Sequence, residues 1–501
     1  MIKTGAGTWS TNGDINTNDL TVQEGSLKVN VAQTATPTVQ VANNFINNGD
    51  VAFALDGLMQ SGQSFTALTS ANLSGTGSYS TNSPLLSVSI AGDSVNLTKK
   101  SYMDVVDMGN ENAVALAVVL DPLIATATGD MATILGKLDC SASQQAFNTN
   151  LTELGGVFSS GMTSISLGTA HQLSLATQTR MAQMRAYQIM LAQNDETADP
   201  EDPESWPMVA ANGDLAGLMS REPEYQPNGV HLRVLGRTGD MDSHGGYDGY
   251  DYNSVIFSGG YDRVLRDGFL AGVSGGYAKT DADYKDAGGS DSSLDSYSLG
   301  VYGTWFKNQW YVDAVLAGAY NEYDMDRRLP AFGRTATSDS SGYTVSAKSA
   351  GGYRFDVGGY GLTPTASLEY TRFHQDGYTE SGAGAANLSV PDVDSNFLES
   401  GLGVKIDRTW QTDFGQIIPE LSAMWMHEWL TQDRALTVSM TGMPGTVFSQ
   451  TTAETARDAY RFGAGVRAIY DTDMSFALRY QGDVEEHAAS HSLMCEAQFL
   501  F

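Results

Sequence analysis

The chain has 501 residues, enough for two or three domains, and carries 58 acidic against 28 basic side chains, for a net charge of −30 and an isoelectric point near 4.4. That balance argues against a nucleic-acid partner, whose phosphates demand Lys and Arg, and suits a solvated surface facing the outside of a cell. The two cysteines, Cys140 and Cys495, match no metal-ligand spacing and leave the redox compartment open.

The opening MIKTGAGTWSTNGD has no apolar stretch of the sort a secretory signal peptide requires. From residue 1 to about 100 the chain is rich in Gly, Asn, Thr and Ser, with short β-branched runs such as GSLKVN, DVAFAL and PLLSVSI. Short strands punctuated by Asn-Gly and Gly-Asp turns fit the rungs of a parallel β-helix or a small sandwich, and the solenoid is preferred. The most apolar run, AVALAVVLDPLIATA (113–127), is broken by Asp121-Pro122. No stretch approaches the roughly 20 apolar residues of a spanning helix.

From about 141 to 193 the chain contains no Pro and grows richer in Met, Gln, Ala and Arg. Leu173, Met181, Met184, Ile189 and Leu191 recur at mostly helical separations, which predicts an amphipathic helix at about 170–193. NDETADPEDPESWP then reads as an acidic linker whose prolines cannot continue a helix.

From Gly229 to the end the period becomes two. Val230, Leu232 and Val234 share one parity, and His231, Arg233 and Arg237 the other. Leu362, Pro364, Ala366, Leu368 and Tyr370 oppose Thr363, Thr365, Ser367, Glu369 and Thr371. Tyr460, Phe462, Ala464, Val466 and Ala468 oppose Arg461, Gly463, Gly465 and Arg467, while Phe476, Leu478 and Tyr480 oppose Ser475, Ala477, Arg479 and Gln481. Each run is about 10 to 15 residues long, more than soluble strands need and enough for a tilted strand to cross a bilayer.

Short connections (FKNQW, YDTDMS) alternate with long polar ones (DMDRRLPAFGRTATSDSSGY, HQDGYTESGAGAANLSVPDVDS, TGMPGTVFSQTTAETARD). Trp305, Phe306, Trp310, Tyr311, Tyr320, Tyr370, Trp410, Trp425 and Trp429 near run ends fit interfacial girdles, with His427 among them. The final HSLMCEAQFLF alternates Leu493, Cys495, Ala497, Phe499 and Phe501 against a mixed to polar parity. In a closed barrel that last strand pairs with the first, so its apolar end is covered by lipid and neighbours. A soluble sandwich also alternates, but its strands are shorter, and here the second face carries Arg, Glu, Thr and Gly as a wet lumen would. About twelve such runs predict a mainly β protein built on a 12-stranded antiparallel transmembrane barrel.

The order of these features resembles the C-terminal half of classical autotransporters of the type V secretion family. GVHLRVLGRTGDMDSHGGYDGYDYNSVIFSGGYDRVLRDGFLAGVSGGYAKTDADY looks like the first three strands of their translocator domain, LDSYSLGVYGTWFKNQWYVDAVLAGAYNEYD like the fourth and fifth, and CEAQFLF like the terminal assembly signal. The resemblance covers 230–501 well. Upstream, SFTALTSANLSG and PLLSVSIAGDSVNL look like the last rungs of a pertactin-like β-helical passenger.

The resemblance implies three parts: the end of a passenger at 1–140, a helical pore-threading segment with the acidic linker at 141–228, and the barrel at 229–501. Which part of 141–229 fills the pore is open. It further implies the outer membrane of a Gram-negative bacterium with the passenger at the cell surface, insertion by the β-barrel assembly machinery with periplasmic chaperones, contact with outer-membrane lipid, and a monomer. Met1 is then not expected to be the natural start of the full protein. The passenger's target is not legible.

No enzyme and no cofactor is expected. Some family members cut their passenger free at an Asn beside acidic residues; Asn148, Asn150 and Asn194 are conceivable points, with Glu369 or Asp483 facing the lumen, but ordinary turn and lumen roles are preferred. AGDSV (91–95) is superficially like an esterase nucleophile block, yet no Asp-x-x-His follows, and Gly92-Asp93 is more simply a hairpin turn. Lumen-facing candidates are Arg233, Arg237, Glu369, Arg461, Arg467 and Arg479, whose arginines are expected to meet the acids of the linker. Three functions follow: a secretion translocator, which leads, a surface adhesin whose barrel is only an anchor, or a porin-like channel.

Overall fold

The computed structural model describes residues 1–501 except 32–36, 56, 157–158, 198–227, 245–246, 267, 286–287, 431–434, 452–455, 471–473 and 501. Ten short strands come first: β1 (Ile2–Lys3), β2 (Thr8–Thr11), β3 (Ile15–Val22), β4 (Ser26–Val31), β5 (Val39–Asn47), β6 (Asp50–Leu55), β7 (Ser64–Ser74), β8 (Ser78–Thr81), β9 (Leu86–Ala91) and β10 (Ser94–Lys99). β1, β3, β5 and β7 pair in parallel, and so do β2, β4, β6 and β8. The chain therefore coils as a parallel β-helix, with Leu20, Leu27, Phe45, Val51 and Phe53 completely buried between its two sheets. Glycines permit the tight corner. A Cβ on Gly25, Gly49 or Gly77 would lie 2.4, 2.4 or 2.2 Å from the carbonyl oxygen of Gly7, Gly25 or Gly49 on the rung before it. β10 pairs antiparallel with both β7 and β9, which ends the coil, and Gly92 (φ +59°) with Asp93 forms the hairpin turn.

Helices follow where the apolar run 113–127 was interrupted by Asp121-Pro122. α1 (Glu111–Leu123) contains Pro122 next to its last residue, so the helix ends directly after the proline. Asn110 and Ser143 cap α1 and α3 (Gln144–Gly155) by accepting from the amides of Ala113 and Ala146 at 2.9 and 3.1 Å, and α2 (Gly129–Asp139) lies between them. α4 runs from Ser159 to Thr197, longer at both ends than the periodicity predicts. Its first turns are rich in Ser, Thr and Gly, poor helix formers, and are held by packing instead of propensity.

Twelve antiparallel strands then close into a barrel: β11 (Asn228–Met241), β12 (Tyr250–Arg266), β13 (Phe269–Tyr284), β14 (Asp291–Lys307), β15 (Trp310–Leu329), β16 (Arg334–Tyr353), β17 (Tyr360–Gln375), β18 (Val393–Asp407), β19 (Gly415–Glu428), β20 (Asp458–Tyr470), β21 (Met474–Val484) and β22 (Ala488–Leu500). β22 pairs with β11 from Leu500↔Gly229 to Ala488↔Met241, so no edge is left among the twelve. The helix α4 lies inside. Leu232, Val234, Phe257, Leu299, Leu316, Leu368 and Phe462 are exposed on the outer face, as alternation predicts.

Two girdles bound this apolar band. At the long-loop end Phe257, Tyr277, Tyr297, Tyr320 and Tyr343 stand opposite one another on successive strands, with Tyr343 stacked on His374 at 4.9 Å. At the tight-turn end Trp310 meets Tyr353 edge-on at 4.9 Å. From Tyr297 to Trp305 along one strand, at about 3.3 Å per residue and a tilt of about 40°, the band is about 20 Å tall, a little under the ~25 Å typical of membrane barrels. Tyr311 departs from the girdle expected of it, since its parity points inward, where its ring lies under Arg185 at 3.9 Å.

Beyond the Tyr297 girdle the strands continue and the polarity of their faces inverts. On β15 the outward residues are Glu322, Asp324, Asp326 and Arg328, whereas Tyr323, Met325, Arg327 and Leu329 are buried inside. β13 repeats this, with Asp281 and Asp283 outward and Ala282 and Tyr284 buried. The polar stretch DMDRRLPAFGRTATSDSSGY is therefore not the loop expected of it but two paired strands joined by a single 3-10 turn at Pro330–Phe332. The other two long connections supply a small antiparallel sheet of Tyr378–Thr379, Leu388–Val390, Ala435–Met440 and Val447–Thr451. That sheet and the end of β15 pack against α1, α2 and α3.

Candidate functional site

α4 threads the lumen, at 1.5 Å per residue about 60 Å of helix. Apolar contacts seat it at three levels. At the long-loop end Met162 and Ile165 pack among Tyr250, Tyr284, Tyr323 and Phe373, and the Ser166 and Tyr323 hydroxyls meet at 2.9 Å. Midway, Leu173 joins Leu235, Ile256, Ala278 and Met494. Towards the tight-turn end Met181 and Met184 contact Val264, Leu270, Tyr302 and Leu500. Ile189 and Leu191 have side chains outside the described residues.

Charge sets the helix in register. The Arg180 guanidinium donates to both oxygens of Asp262 at 2.5 and 2.6 Å, fully buried, and the Tyr302 hydroxyl donates to the same carboxylate at 2.7 Å. Arg185 donates to Asp313 and, at 2.8 Å, to Thr304. His171 bridges the wall: its Nδ1 lies 2.9 Å from Glu369, which also accepts from Lys348 at 2.9 Å, and its Nε2 lies 2.5 Å from Arg461. An Arg can only donate, so Nε2 accepts and Nδ1 carries the proton. His171, Glu369 and Glu399 stand close enough together to suggest a metal site. With both imidazole nitrogens engaged and Lys348 and Arg461 alongside, that donor set fits a hydrogen-bond relay and does not fit a cation.

All six lumen candidates point inward or line the lumen. Arg233 pairs with Glu496 at 2.7 Å, Arg461 with Asp483 at 2.6 Å, and Arg479 with Glu420. Arg479 also donates to Thr179 of α4 at 2.6 Å, and Arg467 is buried. Arg237 lies over the Tyr252 ring and against Gly168, where a Cβ would come within 2.3 Å of its guanidinium. The linker acids that these arginines are expected to meet lie outside the described residues. Three wall arginines are neutralised by wall carboxylates, and the helix brings its own arginines to wall aspartates.

Arg180, Arg185, His171, Asp262, Asp313 and Lys348 were not singled out by sequence. The available signal was opposite charge, Arg on an amphipathic helix and Asp on the inward parity of β12 and β15. Of the scission candidates, Asn148 and Asn150 sit on α3 outside the lumen with their amides bonded to Gln144 and Ser141, and the Asn194 side chain lies outside the described residues. In the terminal strand Leu493, Cys495 and Phe499 are exposed on the outer face and Ala497 is half-buried there; Phe501 lies outside the described residues. His427 faces outward at the girdle, 2.9 Å from Asp458 and edge-on to Trp429 at 4.8 Å.

Comparison with known proteins follows the same division. The chain is 31% identical over 217 residues to Esterase EstA of Pseudomonas aeruginosa, 42% of this chain and 32% of that protein. It is 25% identical over 331 residues to an extracellular serine protease of Serratia marcescens, 65% of this chain and 30% of that one. The chain thus spans about a third of the length of the curated relatives it matches. Among solved structures, the translocator domain of autotransporter NalP from Neisseria meningitidis aligns with 54% of this chain and 88% of that one, at 14% identity and a TM-score of 0.44. Residues 230–481, half of the chain, match the family described as Autotransporter beta-domain. The chain belongs to that family, and its closed barrel threaded by a helix is an outer-membrane translocator.

Proposed function

We propose that the barrel carries residues 1–155 to the cell surface and then holds them there, with α4 left in the lumen as both tether and plug. The observation that carries this reading is the path of α4: one continuous helix, Ser159–Thr197, runs from the N-terminal domain at the long-loop end towards the tight-turn end, the end at which β11 also begins. A porin-like channel is disfavoured because α4 and its charge pairs occupy the lumen. A surface adhesin remains compatible, with the N-terminal domain as its binding part and a target of its own.

The partners are outer-membrane lipid around the apolar band, the assembly machinery reading the alternating terminal strand, and periplasmic chaperones before insertion; the unit is a monomer. The described residues carry no catalytic constellation we would assign. The esterase and protease activities named for the two relatives are not carried over to this chain.

An epitope inserted at the exposed Asn12-Gly13 turn tests the reading. Antibody should label intact cells of a Gram-negative host expressing the chain behind a secretory signal. Labelling only after the outer membrane is permeabilised would overturn it.

A further inference from the structure

The N-terminal domain does not merely hang from α4. Leu116, Leu135 and Phe147 of α1, α2 and α3 are completely buried in one cluster with Leu388, Val438 and Phe448 of the loop sheet, and the cluster extends to Leu329 and Phe332 of the barrel rim. This is an interface with the character of a domain core cut in two, the kind that obligate complexes form.

Its polar contacts are equally specific. Arg327, 2% exposed on β15, donates to both oxygens of Glu380 at 2.9 and 2.5 Å and to the backbone carbonyls of Glu153, Leu154 and Ala386 at 2.7, 3.3 and 2.9 Å. One barrel guanidinium thus ties the last carbonyls of α3 to the loops. Asp130 at the start of α2 pairs with both terminal nitrogens of Arg334 and accepts from the Ala385 amide at 2.8 Å. Lys137 reaches the Phe332 carbonyl at 2.7 Å.

We infer that these contacts form a clasp between α1–α3 and the barrel's loops that keeps residues 1–155 on the cell even when the covalent link between α3 and α4 is severed. The inference rests on the display reading above and goes beyond it: a cut at the surface nicks the chain without shedding the domain, so attachment and covalent continuity are separate properties.

The test inserts the recognition sequence of a site-specific protease after Gly156 in the full chain, with an epitope in the N-terminal domain. Intact cells are treated, and denaturing gels confirm the cut. The fragment should sediment with washed cells and reach the medium only after heating or urea. Leu388→Asp on the loop side and Ile134→Asp on α2 each place a charge in the core, so either should release the fragment on cutting. A boiled-versus-unboiled mobility shift shows that each variant still has a folded barrel.

Release from the unsubstituted chain overturns the inference, as does retention by both variants. If protease cuts only lysed cells, the display reading fails. The clasp is then judged on detergent-extracted protein, where co-elution of the two fragments in gel filtration supports it and separation overturns it.

Discussion

Lys99 and Asp139 show how buried charge is managed in the N-terminal domain. Lys99 Nζ lies 2.8 Å from Asp139 with neither side chain exposed, and the same carboxylate accepts from the Tyr102 hydroxyl at 2.8 Å and the Met59 amide at 3.1 Å. Burial pushes the Lys99 ammonium below its usual range and the Asp139 carboxyl above its own, so desolvation outweighs the mutual attraction. Such a pair adds little net stability but is costly to break. Lys99→Met should destabilise the domain by about 3–5 kcal/mol, read as a lower urea midpoint for protease resistance of the full chain in detergent.

Asp130 behaves oppositely. Hydrogen bonds from Arg334 and the Ala385 amide hold its carboxyl at about 2, below an ordinary value of 3.8. A depressed carboxyl contributes stability above its unfolded pKa and loses it as pH falls through the folded one, so the window runs from about pH 4 down to about pH 2. The side chain is 43% exposed, and screening limits the effect to about 1 kcal/mol or less. Asp130→Asn should weaken the contact slightly near neutrality and flatten the acid dependence of domain detachment in that window, so that the two proteins converge near pH 2. An acid profile identical to that of the unsubstituted chain would contradict this.

At the scale of elements, the helix and the wall divide the work of electrostatics. Arg180 and Arg185 each meet a wall aspartate, so replacing both by Ala leaves Asp262 and Asp313 without their cations and loosens α4. Channel conductance in planar bilayers should rise. Arg233→Ala should leave conductance at the plugged level, because its partner Glu496 is on the neighbouring strand and the helix contacts survive. Equal conductance in all three proteins would mean that packing alone retains the helix.

The same contrast explains what was legible in sequence. Alternation located the strands inside the band, because lipid outside and water inside give the two faces opposite polarity. It also placed Arg233, Glu369 and Arg479 on the inward face and Leu493 and Phe499 on the outer one. Above the girdle the period persists while its phase inverts, with Asp324 outside and Met325 inside. Apolar-outward alternation alone therefore reads 324–343 as a loop. Tyr311 departs from its expected place for a related reason, since an aromatic beside a turn can serve the girdle or the lumen and only its parity decides. The pairs of α4 with β12 and β15 join residues about 80 to 130 positions apart, which no local pattern encodes.

At the scale of the whole molecule, the net charge of −30 and the inverted collar belong together. The acidic outward residues begin where the Tyr297 girdle ends, so the membrane boundary is drawn once by aromatics and again by charge. Inside the collar, tyrosines and aliphatics make an apolar cluster around the upper turns of α4, and above it the loop sheet and α1–α3 add a second one. The account depends on the barrel being closed by β22 against β11.

That closure is most directly tested by electrophoresis of the outer-membrane fraction, boiled and unboiled. A closed barrel resists detergent until heated, so the account predicts that the band shifts on boiling and that deleting Phe501 from the terminal strand abolishes the shift. Protein found in the soluble fraction, with the same mobility before and after boiling, would contradict it.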